Sequence, residues 1–459
     1  MKTPVSVCWF RRDLRLEDNT AFSMALDGPY PVLPVFIFDK HILQLLPSRR
    51  DRRVAFIRQA LAELEKVFNS LGSSLYIFHD TPTEAYKKLM AEFEIKEVYT
   101  NHDYEPYAIQ RDEKIKSLLA SNGIAFITCK DQVIYEKNEI LKADGRPYTV
   151  FTPYAKAWKE KLLSSPERNI GTPLFNHPAS SIHHQVSSIH HPASSIRHNL
   201  YRRLPSPIPS LEEIGFEHID SMSPLPFIDE AVICRYSETR DMPSVNGTSG
   251  LSTHLRFGTV SIRQLVQLAN RLSPGWLNEL IWREFFMMIL YHFPYVVNSS
   301  FKKKYDRVKW RNNEQEFDLW CRGETGYPLV DAGMRQLNET GWMHNRVRMV
   351  TAGFLTKHLL IDWRWGEAYF AEKLLDYELS SNNGNWQWSA GSGCDAALYF
   401  RVFNPIKQQE KFDPNMIYIK TWIPGYHADY LPRIVEHDFA RKRSIQVYRE
   451  SLGETEIDH

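Results

Sequence analysis

Alternating apolar runs and helical stretches predict a parallel sheet in the first 130 residues. Five short runs rich in β-branched and aromatic side chains have the pattern of buried strands, and segments with helical spacing separate them. This alternation is typical of a parallel sheet covered by helices on both faces, with right-handed crossovers. We therefore expect a doubly wound α/β domain. Its strands are expected at 5–10, 31–38, 73–78, 97–103 and 125–130, and its helices at 51–71, 82–94 and 106–122.

The second half of the chain has a different apolar period. From about residue 216 to 450, apolar positions recur every 3.6 residues, which predicts helices, and no strand pattern is present. Ten of the twelve tryptophans lie between 276 and 422. A helical core does not require this concentration, which favours a bound aromatic ligand. Helices are expected at 259–272, 276–292, 328–340, 342–360 and 365–379.

A stretch of low complexity lies between the two halves. Residues 164–210 are rich in Ser, Pro and His, and they contain six of the seventeen histidines. Without ligand spacing or an acidic or cysteine partner, these histidines favour a solvated loop over a metal site. A chain of 459 residues is also too long for one core. We expect an α/β domain over 1–130, a connector over 131–215 with a His/Ser insert at about 176–198, an all-α domain over 216–459, and no metal.

The composition is that of an ordinary globular protein. The net charge is only +1, so a nucleic-acid partner requires a local basic face. The five cysteines are scattered without a CxxC pair, which indicates reduced thiols. Arg11, Arg12 and Asp13 interrupt the first apolar run, and no later run approaches the length of a membrane span. We expect a cytoplasmic protein that contacts no membrane.

Two segments bear on nucleotide binding. The first strand-to-helix turn, WFRRDLRLEDN at 9–19, lacks the GxGxxG fingerprint of dinucleotide-binding domains. The segment GTSGLSTHLRFG at 247–258 places small residues and hydroxyls at a helix start, where free backbone N–H groups hold phosphate. Thr248, Ser249 and Ser252 can therefore bind a pyrophosphate, or they simply cap the helix.

The segment WLNELIWREFF at 276–286 combines rings, an acid and a base on one helix. Trp276, Glu279 and Arg283 fall at helical spacing, and Trp282 lies on an adjoining strip. Glu279 can serve as a hydrogen-bond or proton partner and Arg283 as a phosphate clamp. Alternatively, the two form an i,i+4 ion pair.

Long motifs in the C-terminal half carry a family resemblance. They are TGYPLVDAGMRQLNETGWMHNRVRMVTAGFL at 325–355 and IDWRWGEAYFAEKLLDYELSSNNGNWQWSAGSGCDAALYFRVFNP at 361–405. Together with WFRRDLRLEDN and WLNELIWREFF, they closely resemble the DNA photolyase/cryptochrome family, and above all the class I photolyases of cyclobutane pyrimidine dimers. The resemblance spans nearly the whole chain except the His/Ser insert. It implies light-driven repair of such dimers by electron transfer from reduced FAD.

The resemblance implies that FAD lies folded in the helical domain. Arg348 and Asp376 are then expected to form a charge-assisted pair beside the flavin ring. Asn382 matches the position that faces flavin N5, where photolyases carry an amide and plant cryptochromes a carboxylate. An amide bonds the reduced ring without adding charge, which favours repair over signalling. The implied FAD pocket comprises Tyr236, Thr248, Ser249, Gly250, Leu251, Ser252, Trp276, Arg348, Asp376, Tyr377, Glu378 and Asn382.

The resemblance also implies UV-damaged DNA as the partner, with the dimer flipped out of the helix to meet the flavin. In photolyases for (6–4) photoproducts, histidines stand where this chain has Asn345 and Met349, so these residues favour the cyclobutane substrate. Catalytic roles are implied for Glu279, Asn345, Met349 and Asn382. Contacts with the lesion or its flanking phosphates are implied for Arg240, Glu279, Trp282, Arg283, Asn345, Arg346, Trp388, Arg401 and Gln408.

The resemblance implies an electron relay and an antenna chromophore. Trp386, Trp363 and Trp310 match the tryptophans that relay electrons from the surface to oxidised flavin; without the resemblance they would be core tryptophans. Relatives carry a reduced folate or a deazaflavin as antenna. This chain has Tyr107 and Ala108 where folate-binding relatives place an Asn-Glu pair. Folate is therefore disfavoured, and a reduced folate, a deazaflavin or no antenna all stay open.

Two other functions compete with repair. The first is a cryptochrome-type blue-light photoreceptor without repair activity, against which Asn382, Trp282 and Met349 argue. The second is a nucleotide-binding module that needs no light, built on the N-terminal domain. The missing glycine fingerprint and the tryptophan-rich helical half argue against that module. We expect the protein to be a monomer.

Overall fold

The protein forms two compact units in a computed structural model that describes residues 2–164, 199–220, 225–427 and 430–453. The expected domain boundaries near 130 and 215 stay predictions, and the insert at 176–198 lies outside the described residues. The first unit consists of Met1–Glu136, Lys159–Ile228 and Gly250–Arg271, and the second of Lys137–Trp158, Asp229–Ser249 and Leu272–His459.

The sheet of the first unit has five parallel strands: β1 Pro4–Phe10, β2 Val32–Asp39, β3 Tyr76–Asp80, β4 Glu94–Asn101 and β5 Ala125–Cys129. The strand order is β3-β2-β1-β4-β5, so β2 and β3 lie on one side of β1 and β4 and β5 on the other. After Pro4, every residue of β1 is buried, because helices cover both faces of its sheet. The predicted doubly wound α/β fold is confirmed.

Helices make up most of the remaining described chain, and no strand follows β5 within the described residues. In the first 130 residues they are α1 (Thr20–Leu26), α2 (Lys40–Leu45), α3 (Arg52–Ser70), α4 (Pro82–Glu92) and α5 (Pro106–Ala120). They continue with α6 (Phe151–Ser164), α7 (Glu230–Cys234), α8 (Tyr236–Thr239), α9 (Ser252–Phe257), α10 (Ile262–Leu272), α11 (Pro274–His292), α12 (Glu314–Arg322), α13 (Pro328–Thr340), α14 (Asn345–Gly353), α15 (Trp363–Lys373), α16 (Leu379–Ala390), α17 (Pro405–Phe412), α18 (Ile417–Trp422) and α19 (His437–Leu452).

One predicted helix is divided in the structure. The helix expected at 342–360 is instead α14, which ends at Gly353, followed by a turn of π-helix at Phe354–His358. A π turn accommodates one extra residue and thereby rotates the faces of the helix on either side of it. The other predicted helices differ from the structure only at their ends.

A buried ion network fixes the loop after β1 in the first unit. Asp131 accepts bonds from Arg15 (2.9 Å) and from Arg263 of α10 (2.7 Å), and Arg263 also pairs with Asp18 (2.9 Å). Burial alone would raise the pKa of Asp131, but the two guanidinium groups outweigh it and the pKa is lowered. The ion pairs therefore offset the cost of burying the Asp131 carboxylate.

The core of the second unit centres on the contact between α13 and α14. A Cβ atom added at Gly333 of α13 would lie only 2.3 Å from Cγ1 of Val347 on α14. Only a glycine allows this separation of the two helices. Trp320, Trp363 and Trp386 belong to the same buried apolar cluster, and this packing fixes the position of α14, which carries several predicted site residues.

Candidate active site

A cleft in the second unit gathers many of the residues expected to contact the flavin and the lesion. Its walls come from α14, from the segment between α15 and α16, and from α16. Asn345, Arg348 and Met349 line it together because positions i, i+3 and i+4 share one face of α14. The space within the cleft, including the part open to solvent, is about 590 Å³. Its predicted site residues are Asn345, Arg348, Met349, Asp376, Tyr377, Glu378, Asn382, Trp386 and Trp388.

A buried carboxylate in this cleft has one oxygen without a partner. Arg348 donates from Nη2 to Oδ2 of Asp376 (2.9 Å) and from Nε to the carbonyl of Met343 (2.7 Å). Oδ1 of Asp376 is buried and accepts no hydrogen bond in the structure. Leaving such an acceptor unsatisfied costs about 1–3 kcal/mol. The cleft is therefore built for a ligand that donates a hydrogen bond at this point.

The amide of Asn382 is oriented by a neighbouring helix. Its Nδ2 donates to the carbonyl of Glu367 on α15 (3.1 Å), which leaves Oδ1 as the atom available to a ligand. Asn383 donates to the Glu367 carboxyl (3.1 Å), and burial raises the pKa of Glu367 to about 7. The backbone of α15 thus determines which end of the Asn382 amide faces the cleft.

Glu279 and Arg240 form an ion pair of 2.6 Å in the second unit. Burial raises the pKa of Glu279, although the pairing with Arg240 works against that rise. Burial also raises the pKa of Tyr236, on the helix that precedes Arg240. Arg283 lies 3.5 Å from the carboxyl of Glu378. Each end of the predicted i,i+4 pair therefore has a partner outside α11.

Trp282 packs against two phenyl rings. The ring of Phe151 lies parallel to the indole, with centroids 3.7 Å apart and an interplanar angle of 5°. The ring of Phe286 lies at 5.4 Å and 29°. Trp276, in the first turn of α11, is buried in the core, whereas Trp388 lines the cleft.

The three predicted relay tryptophans belong to one apolar cluster. Trp386 and Trp363 are buried within it, and the partly buried Trp310 packs against it. Trp386 also lines the cleft, and its ring contacts Phe370 (5.0 Å) and Trp320 (6.2 Å). The cluster therefore extends from the cleft to a partly exposed tryptophan.

The predicted phosphate contacts are spread over several elements. Arg346 pairs with Asp241 (2.7 Å), and its guanidinium lies 4.4 Å from the ring centre of Phe412. Arg401 is exposed and lines a second cavity that shares Met349 and Trp388 with the cleft. Gln408 lies on α17 and is partly buried. The structure thus brings Arg401 beside the cleft.

The boundary between the two units falls within the predicted pyrophosphate segment. Thr248 and Ser249 belong to the second unit, and Gly250, Leu251 and Ser252 to the first. Gly250 has φ +66°, in the left-handed region that favours glycine. Leu251 is the N-cap of α9 and forms no side-chain cap bond.

Two protein-family models and several relatives match this chain. A sequence model described as the FAD binding domain of DNA photolyase matches residues 276–428, and one described as DNA photolyase matches residues 6–173. A deoxyribodipyrimidine photo-lyase of Synechococcus is 36% identical over 447 residues, which cover 92% of this chain and 88% of the relative. The deoxyribodipyrimidine photo-lyase of Vibrio cholerae is 36% identical, with 97% and 99% covered.

The chain belongs to the DNA photolyase family. The crystal structure of a bacterial class III photolyase from Agrobacterium tumefaciens matches with a TM-score of 0.82 and 30% identity, covering 98% of each chain. Membership in the DNA photolyase family confirms the predicted family, fold class and FAD cofactor, and the relatives' names agree with the predicted enzyme class. The assignment to class I stays a prediction, because relatives of another class match as well.

The residues present fit FAD, the cofactor of this family. The unpartnered Oδ1 of Asp376 and the oriented Oδ1 of Asn382 offer two acceptors in a cleft whose other walls include aromatic rings. Ring donors and an apolar body are the features that such a lining recognises. Asp376 and Asn382 would hold the flavin edge, and Arg348 would keep the Asp376 carboxylate in place.

The residues expected at the antenna position are Tyr107 and Ala108. Tyr107 donates from its hydroxyl to Oδ2 of Asp39 (2.5 Å), and Ala108 is buried. The hydroxyl of Tyr107 is therefore already bonded within the protein. The identity of an antenna chromophore stays open.

Among the described residues, no group of three or more His, Cys, Asp or Glu side chains is arranged to hold a metal ion. No helix in that part of the chain is long and apolar enough to cross a membrane. The histidines of the His/Ser insert, for which metal binding was disfavoured, lie outside the described residues. All five cysteines are described and free.

Sequence reasoning missed Glu367 and Phe151. No sequence signal marks Glu367, since its role arises from the packing of α15 against α16. Phe151 lies in the predicted connector, where it begins α6. The aromatic residues of FTPYAKAW recur at i, i+3 and i+7, and this spacing predicts one packed helix face.

Proposed function

We propose that the protein repairs cyclobutane pyrimidine dimers in DNA with light. When bound, reduced FAD supplies the light-excited electron that splits the dimer. One observation carries the proposal: a single cleft combines acceptors suited to a flavin, Asp376 and Asn382, with residues suited to the lesion. Those residues are Asn345, Met349 and Trp388.

The lesion side of the cleft has donors and polarisable surface. Burial raises the pKa of Glu279 against the effect of its pairing with Arg240, and its carboxyl is a hydrogen-bonding partner for the edge of a pyrimidine. Asn345 offers an amide for the same base edges. Met349 and Trp388 supply a soft, flat lining of the cleft. Trp282 of α11 is proposed as an additional aromatic wall for the lesion. The dimer is held by these contacts after it leaves the DNA stack.

The remaining assigned residues act around the cleft. Trp386, Trp363 and Trp310 relay an electron inward when the flavin is oxidised, and their shared cluster supports this role. The second-unit residues that complete the FAD pocket are Tyr236, Thr248, Ser249, Trp276, Tyr377 and Glu378. Gly250, Leu251 and Ser252 stay assigned to FAD binding. Arg240, Arg283, Arg346, Arg401 and Gln408 contact the phosphates beside the lesion.

The damaged DNA is read through its phosphates and its weakened pairing, so we expect little dependence on base sequence. We place the protein in the cytoplasm as a monomer. Its domains follow the expected division at 130 and 215, with the α/β domain as the place of any antenna.

Illumination of the chemically reduced protein with a dimer-containing oligonucleotide tests the proposal. We expect intact thymines to return in proportion to light dose, and no change in the dark. The same oligonucleotide illuminated without protein is the control. A protein that binds FAD and responds to light but leaves every dimer intact would contradict repair and support a photoreceptor instead.

A further inference from the structure

The first half of α6 packs along α11 through three residues at helical spacing. Trp158 donates from Nε1 to the buried carboxyl of Glu284 (2.5 Å). The ring of Tyr154 lies 5.2 Å from that of Phe285. Phe151 completes the series with its contact to Trp282. This face of α6 is therefore fixed against the helix that carries the proposed lesion wall.

Phe151 covers one face of the Trp282 indole. The two rings are parallel within 5° and 3.7 Å apart, whereas Phe286 contacts the indole at 5.4 Å. Phe151 is 9% exposed, and Trp282 is only partly buried. An indole held in this way keeps one orientation, because rotation about its side-chain bonds would break the stack.

The backbone of Phe151 makes a second connection. Its N–H donates to Oδ2 of Asp395 (3.1 Å), so that a carboxylate lies at the N-terminus of α6, where the helix dipole favours negative charge. Asp395 belongs to the segment between α16 and α17 that also carries Arg401. One residue thus contacts both the Trp282 ring and the segment of a proposed phosphate contact.

We propose that Phe151 is a positioning residue for lesion recognition. Its ring holds Trp282 in the orientation that receives a flipped dimer, and its amide, through Asp395, holds the segment that carries Arg401. Phe151, at the start of α6, then positions both the ring that recognises the lesion and the arginine that contacts its phosphate. This inference rests on the proposed function.

The test is binding of the FAD-loaded protein to matched oligonucleotides with and without a dimer. Phe151→Leu should weaken binding of the dimer oligonucleotide about two- to tenfold, the range for a lost aromatic pair. Turnover at saturating substrate, FAD content and thermal midpoint should stay close to the wild-type values. Phe151→Tyr, which keeps the ring, should retain the wild-type affinity for the dimer oligonucleotide. Asp395→Asn should weaken this affinity, as Phe151→Leu does.

Phe78→Leu is the matched control, because it removes a stacked ring from the first unit, where Phe78 lies 5.0 Å from Tyr76. It should leave dimer binding unchanged. The inference is overturned if Phe151→Leu binds the dimer oligonucleotide as the wild type does, or if it loses affinity equally for the undamaged strand. If Phe151→Leu fails to fold, unaltered dimer binding by Asp395→Asn overturns it. A wild type with no preference for the dimer would instead contradict the proposed function.

Discussion

At the scale of single residues, the site is defined by polar atoms that lack partners within the protein. Asp376 is the clearest case: Arg348 holds one carboxylate oxygen and the other is buried with none. Protein interiors rarely leave such an acceptor unsatisfied, because desolvation is not compensated. The most economical reason is that a ligand supplies the missing donor, and FAD fits that requirement.

Replacing Asp376 by Ala should therefore weaken FAD binding by about 1.5–3 kcal/mol, the usual contribution of a hydrogen bond to a charged group. Titration of the FAD-depleted protein, followed by quenching of flavin fluorescence, measures this. Asp318→Ala removes an exposed acid of α12 and is the control. Equal FAD affinity in the Asp376 variant and the control would show that Asp376 does not bind the flavin.

Glu367 gives a pH dependence with a definite sign. Burial raises its pKa to about 7 from an ordinary 4.5, with Asn383, Arg364 and Asp362 as its neighbours. A carboxyl group whose folded pKa is raised stabilises the fold below the unfolded pKa, and this contribution is lost as pH rises through the folded pKa. The free energy of unfolding should thus fall by on the order of 1–3 kcal/mol between pH 5 and 8.

Denaturant unfolding at several pH values tests this expectation. Glu367→Gln should flatten the decline between pH 5 and 8, because a neutral amide does not titrate. Glu372→Gln, on the same helix but beside Lys373 and partly exposed, should keep the wild-type slope. If the decline persists unchanged in Glu367→Gln, the titrating group lies elsewhere.

At the scale of elements, the sequence predicts the strands well because buried parallel strands are short, apolar and β-branched. Each of the five predicted runs overlaps one observed strand, with ends shifted by at most three residues. The π turn after Gly353 was not predictable, because it depends on a buried contact: Lys357 donates to the carbonyl of Ala390 at the end of α16 (2.9 Å). Burial lowers the pKa of Lys357 to about 7.

The site itself was only partly predictable. Asn345, Arg348 and Asp376, which the family motifs assign to the site, line one cleft in the structure, and their roles stay predictions. The partners that orient those motifs were not predictable, since Glu367 and Phe151 act through helix packing between segments far apart in the chain. Local sequence patterns carry no information about such pairs.

The spacing of α13 and α14 gives a prediction at this scale. A methyl group at Gly333 would overlap Val347, so Gly333→Ala should push the helices apart and destabilise the fold by about 1–3 kcal/mol. FAD should be retained less well, because Arg348 moves with α14. Gly353→Ala is the control: its backbone is helical, and its nearest neighbour would lie 3.8 Å away. Similar thermal midpoints for both variants would contradict the packing argument.

At the scale of the whole molecule, near-zero net charge coexists with a partly neutralised set of arginines. Arg240 and Arg346 are each paired with a carboxylate, whereas Arg401 is exposed. A phosphate that binds the paired arginines must compete with a resident acid. DNA binding should therefore depend on a few strong local contacts and not on long-range attraction.

Salt dependence measures the number of those contacts. Each phosphate neutralised on duplex DNA contributes about −0.9 to the slope of log affinity against log salt, so the four predicted arginines give a slope of about −3 to −4. Arg401→Gln should make the slope shallower by about 0.9 for damaged and undamaged duplex alike, because the contact carries no sequence or lesion information. Lys66→Gln, an exposed change on α3, should leave the slope unchanged. An unaltered slope in Arg401→Gln would show that its side chain does not reach a phosphate, whereas a slope near zero in the wild type would rule out the whole arginine set.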